Sequence, residues 1–137
     1  MGKFIVVDDS KVIRALLRSI LENAGHEVLA EGSNGLEGFD LYREHRPDVI
    51  TLDINMPINN GIRCLENIIT NFPDAKVIMV TSIGKDVHVE KAMSLGAKAY
   101  LVKPLEEYDV LTTVDIVLGN LPQLTGENYS KEGSSSE

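Results

Sequence analysis

Asp8 and Asp9 stand side by side at the end of the apolar run Phe4–Val7, and Ser10 follows at once. Adjacent carboxylates repel, and beside a third acid they cost free energy unless a cation or a proton relieves them. Other apolar runs also end in groups able to do chemistry: "VITL" in Asp53, "KVIMV" in Thr81, and "AYLV" in Lys103-Pro104. A polar residue at a strand end is ordinarily the start of a solvated loop, and Asp9 by itself reads as a cap for the helix that follows. A set of three acids, a hydroxyl and a lysine at four of five expected strand ends points instead to a shared task. Few carboxylates without a longer oxygen-rich loop suit Mg²⁺ better than a Ca²⁺ cage. With the ion in place, Asp53 is a nucleophile for a phosphoryl group, giving an aspartyl phosphate. Lys103 and Thr81 would then stabilise the transferring oxygens.

What the set lacks is equally specific. A carboxylate is ionised at neutral pH, so Asp53 needs no general base. Turnover of the phosphoaspartate would need a second acid to activate water, and two residues after Asp53 stands Asn55, which cannot do so. The expected product therefore persists, as a signal would. Ile83, two residues past Thr81, is also apolar and adds to the expectation of slow self-dephosphorylation.

These residues converge only if the chain builds a parallel sheet. Short apolar runs at Phe4–Val7, Val28–Ala30, Val49–Leu52, Val77–Val80 and Ala99–Val102 read as strands, separated by segments of helical period. Ile13, Leu16, Leu17, Ile20, Leu21 and Ala24 form an apolar stripe with Ser10 as its N-cap. Stripes after Gly61, before Gly96 and from Tyr108 to Leu118 give further helices, and a weaker one spans about Leu36 to Glu44. The expected fold class is α/β, a doubly wound five-stranded parallel sheet in a flavodoxin-like (βα)₅ arrangement with helices on both faces. In such a sheet the carboxyl ends of the strands share one edge, where ligands bind. The expected domain is 1–119, with 120–137, polar and rich in Gly and Ser, as a disordered tail or linker.

Composition narrows the function. The 137 residues carry 13 Lys+Arg against 21 Asp+Glu, a formal charge of −8. That balance disfavours direct nucleic-acid binding and adhesion to an anionic membrane. A single cysteine, Cys64, excludes an internal disulfide and suits a reducing cytoplasm. His26, His45 and His88 share no ligand spacing, and are expected on the surface or on helix faces. A Mg²⁺-dependent phosphohydrolase with the same nucleophile and a flavodoxin-like FMN binder are the competing functions. Asn55 weighs against the first, and the absence of a phosphate-cradling first loop against the second.

The motifs "VVDDS", "LDINMPINNG", "VTS" and "AYLVKP" together resemble the receiver domain of two-component response regulators, nearest in form to stand-alone chemotaxis-type regulators. The resemblance covers about residues 3 to 119. It implies strand order 2-1-3-4-5 and phosphorylation of Asp53 by a phosphohistidine on a sensor histidine kinase or phosphotransfer protein. It implies Mg²⁺ held by Asp9, Asp53 and the Asn55 backbone carbonyl, with Asp8 acting mainly through metal-bound water. It further implies that Thr81 moves toward the phosphoryl group as Tyr100 turns inward, which alters the face of the fourth helix, fifth strand and fifth helix presented to a downstream protein. Asn60 departs from the family pattern, standing where an acid is common, and Lys103-Pro104 is a candidate cis bond.

Overall fold

The computed structural model describes residues 1–82 and 87–120. Its elements run β1 (Lys3–Val7), α1 (Lys11–Asn23), β2 (Glu27–Gly32), α2 (Gly35–His45), β3 (Val49–Asp53), α3 (Gly61–Asn71), β4 (Val77–Thr81), α4 (Val87–Leu95), β5 (Ala99–Val102) and α5 (Glu107–Leu118). The strands form one parallel sheet in the order β2-β1-β3-β4-β5. Ile83 and residues 121–137, most of the expected tail, lie outside the described residues.

Alternation along the strands divides the core into two layers. Ile5, Val7, Ile50, Leu52, Val77 and Met79 face α2, α3 and α4, where Tyr42, Cys64, Leu65, Ile68, Val89 and Ala92 meet them. Phe4, Val6, Val49, Ile78, Val80 and Leu101 face α1 and α5, against Leu17, Ile20, Leu21, Val110 and Val114. The central strands are buried on both faces, and this is why they read as unbroken apolar runs.

Helix starts are fixed locally. The Ser10 hydroxyl accepts from the Ile13 N–H, Asn34 caps α2 through the Glu37 N–H, and Asn60 caps α3 through the Arg63 N–H. Asn60 thus does what an acid would do at the same place. β2 runs beyond the expected Ala30 to Gly32, and its pairing with β1 shifts register between Phe4 and Ile5. That irregularity breaks the alternation from which its length would be read.

One expectation needs correcting. His45 and His88 are exposed on α2 and α4, but His26 is buried in the turn before β2. Its Nδ1 accepts from the Gly2 N–H at 2.9 Å, and its ring meets Phe4 edge-on at 5.1 Å. The backbone donor satisfies the imidazole, so burial is tolerated.

Candidate metal centre

The carboxyl ends of β1 and β3 deliver Asp8, Asp9 and Asp53 to one point, where one oxygen from each lies within 4.8 Å of the others. Asp8 and Asp53 are buried and Asp9 is exposed. From the end of β5, Lys103 brings its Nζ to 3.2 Å from Asp8 Oδ2 and 3.7 Å from Asp53 Oδ1. Thr81, the last residue of β4, is buried, and Lys103 donates its backbone N–H to the Thr81 carbonyl at 2.7 Å. Register places Asp53 opposite Val80 and Thr81 opposite Val102, so both side chains leave the same sheet edge. The Lys103-Pro104 bond is cis.

The backbone around these acids is tightly specified. Asp8 donates its N–H to the Gly32 carbonyl, and its Oδ1 accepts from the Ser10 N–H at 2.9 Å. Asp53 Oδ1 accepts from the Asn55 N–H at 3.4 Å. The loop from Asp53 to α3 folds back so closely that a Cβ on Gly61 would lie 2.1 Å from the Asp53 carbonyl oxygen. Only glycine permits that approach of two backbones.

Electrostatics favour a cation here. Burial first, and then the charge of Asp8, push the Asp53 carboxyl up to about 6 against the pull of Lys103. Asp8 Oδ2 is buried without a hydrogen-bond partner. Lys103 offers it charge at 3.2 Å but not an aligned hydrogen bond. A buried acceptor lacking a donor, beside two further carboxylates, fits a divalent ion with oxygen ligands, and the few protein oxygens suit Mg²⁺, which keeps several waters.

Asp8, Asp9, Asp53 and Lys103 are therefore brought together by contact and Thr81 by register, while Asn55 lies two residues beyond Asp53. Tyr100 is not in the cluster. It sits on β5, 42% exposed, beside a groove shared with Val102, Leu105 and Tyr108. Cys64 is fully buried and its thiol is pushed up to about 12, which leaves it un-ionised at neutral pH. Arg14 escaped the sequence reasoning: from α1 its Nη1 donates to the Asp8 carbonyl at 2.7 Å. An arginine among other charged residues on a helix surface carries no sign of such a contact.

Comparison with known proteins places this geometry. Residues 4–115 match the response regulator receiver domain family. The chain is 45% identical over 120 residues to Protein CcdB of Bacillus subtilis, covering 88% of this chain and 100% of that one. It is 38% identical over 118 residues to the chemotaxis protein CheY of Thermotoga maritima, covering 85% and 98% of the two chains. Among solved structures it resembles a chain of the CheX-CheY-BeF3-Mg²⁺ complex from Borrelia burgdorferi, with a TM-score of 0.81 and 36% identity over 84% of this chain and 87% of that one. Such receiver domains bind Mg²⁺ at an acidic pocket of this kind, and they interact with histidine kinases and with downstream proteins. Acid cluster, sheet order and sequence agree: the chain belongs to the response regulator receiver domain family, as a CheY-like, phosphorylation-activated signalling switch.

Proposed function

We propose that Asp53 accepts a phosphoryl group from the phosphohistidine of a sensor histidine kinase or phosphotransfer protein in a Mg²⁺-dependent reaction. The observation that carries this is the convergence of the Asp8, Asp9 and Asp53 oxygens within 4.8 Å, with Lys103 Nζ 3.7 Å from Asp53. Asp9, Asp53 and the Asn55 backbone carbonyl would hold the ion, and Asp8 would act through its water. Bound Mg²⁺ supplies charge neutralisation on the transferring oxygens. An Asp53 carboxylate oxygen attacks phosphorus, a new O–P bond forms, and the N–P bond of the donor breaks with its electron pair left on the imidazole. Lys103 balances the charge that reaches Asp53, and the Thr81 hydroxyl donates to a phosphoryl oxygen.

The phosphoryl group then exerts a pull on Thr81, whose carbonyl is tied to Lys103 and whose strand pairs with β5. Tyr100, now partly exposed, turns inward, and the face formed by α4, β5 and α5 changes for a downstream protein. Residues 1–119 act as the receiver unit, in the cytoplasm, and the chain works as a signalling protein that promotes only its own phosphorylation and slow dephosphorylation. The occurrence of BeF3, which has the shape and charge of a phosphoryl group, with Mg²⁺ in the complex of a relative supports this reading.

Acetyl phosphate with Mg²⁺ tests it. Wild type should take up one phosphoryl group, and Asp53→Asn or an excess of chelator should abolish the uptake; undiminished labelling of the variant would place the phosphosite elsewhere. Because Asn55 cannot take a proton from water, the phosphorylated chain should outlast a few seconds without a phosphatase. Loss of the label within that time would contradict the assignment of Asn55.

A further inference from the structure

We propose that Arg14 is a positioning residue for the metal centre: it holds the main chain at Asp8 so that the paired acids face the ion. The proposal rests on the Mg²⁺ reading given above. Arg14 lies one turn into α1, and its side chain is only 17% exposed. Its guanidinium is used in two directions. Nη1 donates to the Asp8 carbonyl at 2.7 Å, and Nε donates to Glu31 Oε1 on β2 at 3.1 Å. Glu31 is itself held by Arg18, whose Nε lies 2.6 Å from Oε2, and Arg18 is tied in turn to Glu22.

The contact matters because of the peptide it grips. The carbonyl of Asp8 belongs to the unit that joins Asp8 to Asp9, so its direction sets where the Asp9 side chain leaves the backbone. The same residue is fixed on its amide side by the Gly32 carbonyl and at its carboxylate by the Ser10 N–H. Arg14 supplies the remaining restraint. A planar fork that bonds a carbonyl and a carboxylate together is preorganised for this, as a lysine is not. Groups that orient metal ligands typically contribute about 10-fold to 100-fold in affinity.

Charge and geometry make opposite predictions for this residue. As a cation near the acids, Arg14 repels Mg²⁺, and its removal on electrostatic grounds alone would tighten binding. As a positioning group, its removal weakens binding. Arg18 provides the control, since it braces the same α1–β2 interface but does not touch Asp8.

Titration calorimetry with MgCl₂ on the unphosphorylated chain, below the unfolding temperature of each variant, decides it. Arg14→Ala should weaken Mg²⁺ about 10-fold, whereas Arg18→Ala should stay within about twofold despite a comparable loss in melting temperature. Arg14→Gln, which keeps polar bulk but falls short of the carbonyl, serves the same purpose if Arg14→Ala does not fold. Unchanged or tighter binding in either Arg14 variant would overturn the proposal, as would equal weakening in Arg18→Ala. Failure of the wild-type chain to bind Mg²⁺ would instead overturn the metal reading itself, and this proposal with it.

Discussion

Asp53 is the residue where function opposes stability. Its carboxyl is raised to about 6, first by burial and then by Asp8, so the folded chain holds a proton there more tightly than the unfolded chain does. The sign follows: below the unfolded value of 3.8 the penalty is absent, it grows as pH rises, and it is complete above about 6. Discounted for the solvent that still reaches the site, ionised Asp53 costs the metal-free protein about 1–2 kcal/mol. Asp53→Asn should therefore be more stable than wild type by that amount at pH 7 in the presence of chelator, with the gap closing toward pH 4. Urea titrations at the two pH values check this, and a gap that widens on acidification would refute it. Adding Mg²⁺ should narrow the difference by stabilising wild type alone. The types and order of the site residues were legible because each follows an apolar run. The charge coupling between Asp8 and Asp53 was legible only as a repulsion in want of a partner.

The strands and helices were read nearly to their ends, since buried parallel strands and amphipathic stripes leave strong periodic signals. β3 and β4 each prove one residue longer than expected, which makes Asp53 and Thr81 strand residues rather than loop residues. Two features stayed hidden because they depend on tertiary contact: the register shift in β2, and the burial of His26 on the Gly2 N–H. A third is Thr51 in the middle of β3, fully within the core, whose hydroxyl has no partner. An orphaned buried hydroxyl costs about 1–3 kcal/mol, and valine has the same shape without it. Thr51→Val should raise stability by about 1 kcal/mol at an unchanged denaturant slope, and a loss of stability would mean that the hydroxyl finds a partner in solution. At the start of α3, packed against the end of the same strand, Gly61→Ala should cost about 1–3 kcal/mol, because the new Cβ meets Asp53 backbone that cannot yield. Thermal melts will show it, and a neutral result would mean that the turn after Asp53 is looser than it stands.

For the whole molecule, one sheet edge collects the candidate site, above two core layers that are apolar but for groups such as Thr51. Strand order puts β1 between β2 and the central strand β3, so Asp8 and Asp9 necessarily sit beside Asp53 at the point where the chain changes direction across the sheet. β4 and β5 complete the sheet beyond β3, and Thr81 and Lys103 stand at their carboxyl ends along the same edge. None of the described helices is long and apolar enough to cross a membrane, and the net charge of −8 leaves basic protein surfaces and cations as the natural counterparts. The central claim is that this geometry makes one carboxylate a phosphoacceptor. Its most direct test is to phosphorylate the chain with a small phosphodonor and Mg²⁺, reduce the acyl phosphate with borohydride, and locate the resulting homoserine by peptide mass spectrometry. Homoserine at position 53, absent when Mg²⁺ is withheld, is the predicted result; homoserine at position 8 or 9, or formed equally without the metal, would contradict it.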